Sequence, residues 1–185
     1  MTTSYQLRDA IASDAARLVE LLLRMDAHVA GVPRKTLRPT EAGLREIKRR
    51  VRGLIDNPHV RLVVAVDRRN TIVAMGDLAV WHHPEYWENP ERRGRVVGVI
   101  DDFWVEPRHR RRGLSRSIIN ELLEFAAERG VRELSLEYAL TNEEAAGVWS
   151  QLGFQPTGVT ATANLTEVLA RLGEKTSKQN TENEV

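Results

Sequence analysis

A mixed α/β domain of the α+β kind is what this sequence predicts, and three observations lead there. Apolar runs of strand length, among them residues 60–66 and 96–105, alternate with stretches of helical period, such as Leu44, Ile47, Val51 and Leu54. Between residues 96 and 125 the two periods meet. A strand ends at Pro107, an arginine-rich turn runs to Gly113, and Leu114, Ile118, Leu122 and Phe125 then share one helix face. Apolar residues make up 42% of the chain and charged residues 29%, the balance of an ordinary core beneath a charged surface.

The 185 residues suit a single domain over residues 1–172, with no internal repeat and no second domain. The polar tail, residues 173–185, lacks any apolar period and is expected to be disordered. A net charge of +1 supplies no global field toward nucleic acid or membrane, so neither is an expected partner and electrostatic selectivity must be local. Cysteine is absent, which excludes disulfides, a thiol nucleophile and thiolate metal sites. The opening residues lack a basic segment followed by an apolar one, and no run reaches membrane-spanning length, so the cytoplasm is the expected compartment.

In chain order, Tyr5 to Arg8 reads as a short strand, and Ser13 or Asp14 caps a helix with Leu18, Leu22 and Met25 on one face. Gly, Pro and basic residues make Ala27 to Pro39 a loop. Thr40 caps a second helix, stopped by Asn57-Pro58, whose outer face of Arg45, Lys48, Arg49 and Arg52 reads as solvated. Val60 to Val66 and Thr71 to Trp81 form a hairpin over the turn Asp67-Arg68-Arg69-Asn70. The segment from His82 to Arg95 is long for a hairpin connection. Tyr86 and Trp87 among Glu85, Glu88 and Glu91 suit either an acceptor pocket for a cation or part of a homodimer contact. His82 and His83 point apart on an extended chain and have no evident third ligand, so no metal is expected. After the central strand and its helix, Gly130 ends the helix, and Arg132 to Tyr138 is a strand. Thr141 or Asn142 opens a helix that Gly153 stops. Phe154 to Gly158 and Val159 to Leu165 read as strands, and Thr166 to Leu172 as a helix.

The turn after Pro107 carries the functional reading. Arg111, Arg112, Gly113 and Leu114 stand where the first amides of a helix lack partners within it, so N–H groups and the helix dipole can hold a phosphate. Neither G-x-x-x-x-G-K-[ST] nor G-x-G-x-x-G is present, which argues against a nucleoside triphosphate loop and a dinucleotide fingerprint. The pattern V-x-P-x-x-R-x-x-G-x-S, from Val105 to Ser115, resembles the acetyl-CoA pyrophosphate loop, [QR]-x-x-G-x-[GA], of the GNAT superfamily of acyl-CoA-dependent N-acyltransferases. Asn142, Ala145, Trp149, Gly153 and Phe154 are similar to a second segment of that superfamily, N-x-x-A-x-x-x-Y-x-x-x-G-[FY]. The sequence departs from the pattern at Ser115, where Gly or Ala is usual, and at Trp149, where Tyr is usual.

The resemblance implies a mostly antiparallel central sheet of six to seven strands flanked by about four helices. It implies acetyl-CoA as cosubstrate and a small primary amine as acceptor, a cationic one being favoured by Asp101, Asp102 and the glutamates between His82 and Arg95. It assigns Phe103, Trp104 and Val105 to the pantetheine amides and the thioester carbonyl. Arg110, Arg111, Arg112, Gly113, Leu114, Ser115 and Arg116 go to the phosphates, and Asn142 to the pantetheine arm or the helix cap. Asp101 and Asp102 interrupt an apolar strand, where Asp is disfavoured. Adjacent strand residues face opposite ways unless a bulge intervenes, so the pair either is structural, bound to a neighbouring arginine, or orders the incoming amine. Trp149 replaces the tyrosine credited as general acid in relatives, and an indole N–H is too weakly acidic for that step. Tyr138 or water then supplies the proton, Trp149 packs in the core, or the protein is a catalytically weak acyl-CoA-binding module.

Overall fold

The computed structural model of the chain describes residues 5–82, 95–139, 141–158 and 161–171. The polar tail and the tip of the His82 to Arg95 segment, with Glu85, Tyr86, Trp87, Glu88 and Glu91, lie outside the described residues. The chain divides into two compact units, Met1–Asn142 and Glu143–Val185.

The first unit is built on a five-stranded sheet in the order β1-β2-β3-β4-β5. The strands are β1 (Gln6–Asp9), β2 (Val60–Val66), β3 (Ile72–His82), β4 (Val96–Val105) and β5 (Glu133–Leu136). The first four pair antiparallel to their neighbours, and β5 runs parallel to β4. Three longer helices accompany the sheet: α1 (Ala15–Val29), α2 (Glu41–Ile55) and α3 (Leu114–Glu128).

Local chemistry sets most of these boundaries. Asp14 accepts the Ile11 N–H at 2.9 Å and is held by the Arg8 guanidinium, which fixes the turn into α1. Helix α1 reaches Val29, further than the composition of Ala27 to Pro39 suggests, and Gly31 then turns the chain at φ +65°. Thr40 caps α2 as expected, its Oγ1 accepting the Gly43 N–H at 3.1 Å. The β2–β3 turn is held by Asp67 Oδ1, which accepts the N–H groups of Arg69 and Thr71, with Asn70 at φ +58°.

One sheet face packs on α1 and α2 through Leu18, Leu21, Leu22, Val51, Val64, Met75 and Trp104. Gly76 and Phe103 face the other way, toward Ile118 of α3. This alternation is the strand period of two, and it decides which β4 side chains meet which helix.

In the second unit, α4 (Glu143–Gln151) ends at Gly153, φ +92°, and residues 165–171 form a short helix. The expected strand at Phe154 to Gly158 is absent, and residues 161–164 are likewise not strand. Five strands are therefore present among the described residues, against the six to seven expected. The sequence F-Q-P-T-G explains the shortfall: Pro156 has no N–H to give a ladder and Gly158 no side chain to pack.

Gly76 supplies a test of this packing. A Cβ there would lie 2.7 Å from Phe103 Cδ2 and 2.8 Å from Ile118 Cγ2. Gly76→Ala is expected to lower stability by about 1–3 kcal/mol in urea unfolding, because both neighbours must shift in a packed core. An unchanged midpoint would mean that α3 is not seated on the sheet at this point.

Candidate active site

Two features of β4 define the site, one in the middle of the strand and one just past its end. In the middle, Leu78 pairs with Ile100 and Gly76 with Phe103. Only Asp77 lies between the β3 partners, whereas Asp101 and Asp102 both lie between those of β4. This is a bulge, and an extra residue leaves one backbone group without its ladder partner. The Asp77 carboxylate fills the gap, with Oδ1 accepting the Asp102 N–H at 2.8 Å.

The bulge also brings two adjacent aspartates to one arginine, the arrangement that the structural reading of the pair expects. Asp102 is buried and Asp101 exposed, yet Arg50 of α2 reaches both: its Nη2 donates to Oδ2 of each at 2.9 Å. Asp77 is 1% exposed, and burial together with the neighbouring Asp102 charge pushes its carboxyl up to about 7. Burial also raises Asp102, to about 6, with Arg50 pulling in the opposite direction. Asp26 of α1 is raised by partial desolvation and is likewise held down by Arg50.

Asp77, Asp26 and Arg50 were not among the residues expected from sequence. Asp77 carried a readable signal, since it interrupts an apolar strand just as Asp101 and Asp102 do. Arg50 and Asp26 carried none. Each is a charged residue in an amphipathic helix, and only the packing of α1 and α2 on the sheet distinguishes them.

Past the end of β4, the chain turns through Pro107–His109 into α3. Arg111 at φ +57° and Gly113 at φ +79° bend it sharply, and Gly113 is the residue preceding the helix. Leu114 is buried and pins the helix start, while Arg111, Arg112, Gly113 and Arg116 are exposed and Ser115 is half-buried. Space around Gly113 is open, with nothing within 4 Å of the position a Cβ would take. The arginines do not act alike. Arg110 lies over the Trp104 ring, 5.0 Å from its centroid, and donates from Nε to the Val105 carbonyl at 3.1 Å. Arg112 donates to the Tyr5 hydroxyl at 3.4 Å, and that hydroxyl lies 3.0 Å from His109 Nδ1.

Ahead of the bulge, the β4–β5 pairing runs from Val97 with Glu133 to Ile100 with Leu136 and ends there. Phe103, Trp104 and Val105 continue in β4, pairing with β3. The indole Nε1 of Trp104 is buried without a hydrogen-bond partner, although its ring meets His28 edge-on at 5.4 Å. Tyr138 follows β5 and is half-buried. The Asn142 N–H donates to the Ala139 carbonyl at 2.8 Å directly before α4. Within the second unit, Trp149 is buried and meets Phe154 edge-on at 5.5 Å. His82 ends β3 exposed, its ring 6.1 Å from that of His59, and His83 lies outside the described residues. Among the described residues, no helix is long and apolar enough to cross a membrane.

Residues 23–154 match the model of the Acetyltransferase (GNAT) family. A putative [ribosomal protein bS18]-alanine N-acetyltransferase of Bacillus subtilis is 29% identical over a match covering 40% of this chain and 62% of that protein. An uncharacterized N-acetyltransferase of Methanocaldococcus jannaschii is 34% identical over 33% of this chain and 27% of its own length. The chain thus spans less than two thirds of each of these relatives. Among solved structures, a predicted acetyltransferase with acetyl-CoA from Clostridium acetobutylicum shares the fold at TM-score 0.71 and 21% identity, covering 89% of this chain and 98% of that one. Glucosamine-6-phosphate N-acetyltransferase from Arabidopsis thaliana does so at 0.63 and 17%, covering 88% and 99%.

The buried carboxyls give the folded state a defined pH dependence. Asp77 and Asp102 hold their protons to higher pH than in the unfolded chain, where both fall near 3.8. The folded state therefore binds more protons across that interval, so stability is greatest toward its acid end and declines as pH rises through about 6 to 7. Asp14 and Glu20, lowered by their arginines, act oppositely and only in more acid solution. Asp77→Asn keeps an acceptor for the Asp102 N–H and removes the largest rise. Its melting temperature is expected to fall less than the parent's between about pH 5 and pH 8. Parallel curves for the two proteins would refute the assignment.

Proposed function

The chain belongs to the GNAT acetyltransferase family, and from that premise we propose that it moves an acetyl group from acetyl-CoA to a primary amine of a small, cationic acceptor, by direct transfer in a ternary complex. One observation carries the reading. A single strand, β4, holds a carboxylate pair in its middle, Asp102 buried and Asp101 exposed, and leads, past Val105, into the open, arginine-flanked turn at Gly113.

The residues at the turn suit a diphosphate. The N-terminal amides of α3 and the dipole of its fifteen residues favour an anion. Exposed Arg111, Arg112 and Arg116 add charge, and the unobstructed Gly113 lets the phosphate approach the backbone. The stretch of β4 beyond its pairing with β5, from Phe103 to Val105, suits the amides of a pantetheine arm and the polarisation of a carbonyl. Acetyl-CoA, when bound, supplies an acetyl group activated as a thioester.

Asp101 and Asp102 take the acceptor as an ammonium and orient it. A carboxyl raised to about 6 is a better match to an ammonium near 10.4 than an ordinary aspartate is, yet it still falls short of removing the proton unaided. A water between Asp102 and the amine carries that proton outward. The amine lone pair then forms the N–C bond, the nitrogen gives its second proton to water, the C–S bond breaks, and the sulfur leaves as thiolate. With a conjugate acid near pKa 8.5, such a thiolate departs without a strong acid, and Tyr138 or water returns its proton. Trp149 contributes no proton in this scheme.

Trp149 favours one competing reading, an acyl-CoA-binding module of little catalytic power. Acetyl-CoA and a panel of primary amines, followed by release of free thiol, separate the two: amine-dependent release supports the transferase, and binding without release supports the module.

At the turn, Gly113→Val places a β-branched residue at φ +79°, so the bend must rearrange. Calorimetry is expected to show loss of acetyl-CoA binding with an unchanged circular dichroism spectrum, and undiminished affinity would remove the turn from the site. Asp102→Asn is expected to lower kcat for the amine about tenfold or more while leaving acetyl-CoA affinity near the parent value. Equal losses in both would reassign the aspartate to structure.

A further inference from the structure

Arg50 is the arginine of α2 that leaves its own helix to meet the sheet. Arg49 pairs with Glu46, and Arg45 with Glu41, both along the helix, whereas Arg50 spans to Asp101 and Asp102 of β4. Among the described residues it is also the cation that offsets Asp26, Asp77 and Asp102. The geometry of its contact is unusual for a guanidinium, which commonly meets a carboxylate with two nitrogens side by side. Here one nitrogen, Nη2, lies 2.9 Å from an oxygen of each of two carboxylates. That is the arrangement a primary ammonium adopts, with several donors on a single nitrogen.

We propose that Arg50 is an internal competitor for the acceptor: its Nη2 holds the place between Asp101 and Asp102 that the acceptor's ammonium takes, and the side chain swings out when the amine enters. The inference rests on the reading of this carboxylate pair as the acceptor site and adds the residue that sets how strongly the acceptor must bind. The arrangement permits the exchange. The Arg50 side chain is 48% exposed, so solvent can take up its charge. Helix α2 is anchored by Val51, Leu44 and Ile47 rather than by Arg50, so the side chain can leave without moving the helix. The carboxylates left behind are fixed by the bulge and by the Asp77 bond to the Asp102 N–H, so they keep their positions for the incoming cation. The fraction of molecules with Arg50 withdrawn scales the apparent affinity, so removing the competitor tightens binding.

Putrescine serves as the probe, with Arg50→Gln and Arg50→Lys as variants. In Arg50→Gln the putrescine KM, and its dissociation constant by calorimetry with coenzyme A present, are expected to fall roughly threefold to tenfold, while affinity for acetyl-CoA stays unchanged. Arg50→Lys retains a competing cation and is expected to stay within about twofold of the parent. A role confined to holding α2 on the sheet predicts lower thermal stability and no tightening, so an unchanged or weaker putrescine constant in folded Arg50→Gln overturns the proposal. The two readings fail separately. Tightening without amine-dependent thiol release in the parent leaves Arg50 as competitor and removes the transferase activity, whereas release in the parent without tightening does the reverse.

Discussion

The pairing of one β3 residue against two of β4 is the constraint on which this molecule turns. Regular pairing would send Asp101 and Asp102 to opposite faces, one toward α3 and one toward α1 and α2. The bulge lets both approach a single nitrogen of Arg50, and it obliges some group to satisfy the displaced N–H of Asp102. Asp77 does so from a position 1% exposed, which holds an ionisable group where water cannot solvate it. Its raised pKa and that of Asp102 are thus consequences of strand geometry.

Such a cluster has an energetic cost at neutral pH, because carboxyls prefer their protons when buried together. Arg50 offsets part of that cost from the solvent side, and the deeper packing of Leu18, Leu21, Leu22, Val64 and Met75 holds the frame against it. The same β4 strand continues to Val105, where Glu106 takes over: buried, it bonds to Arg17 and Arg24 of α1 and ties the end of the strand to that helix. The turn beyond it is therefore presented from a fixed base, with open space around Gly113.

Strand and turn carry opposite charge. The turn holds the arginines and the first amides of α3, and the bulge holds the aspartates, with Phe103 to Val105 between them on one strand. A net charge of +1 for the whole chain conceals this separation. Trp149, in the second unit, is buried and packs edge-on against Phe154 at the helix end.

Short-range order was legible in the sequence. The Thr40 cap, the Asp67 turn, the helix faces of α1 to α3 and the glycine at the start of α3 each depend on residues a few positions apart, so propensity and spacing sufficed. The same local reasoning failed at Phe154 to Gly158, where Pro156 and Gly158 outweighed a suggestive pattern, and at α1, which ran on until Gly31 turned it. What the tertiary structure alone decided was the company of Asp101 and Asp102. Asp26, Arg50 and Asp77 come from an adjoining strand and two helices, and they meet only because the β3–β4 register slips by one residue and α1 and α2 cover that face. A register is set by the sum of many side-chain contacts across the sheet, which no local window of sequence contains.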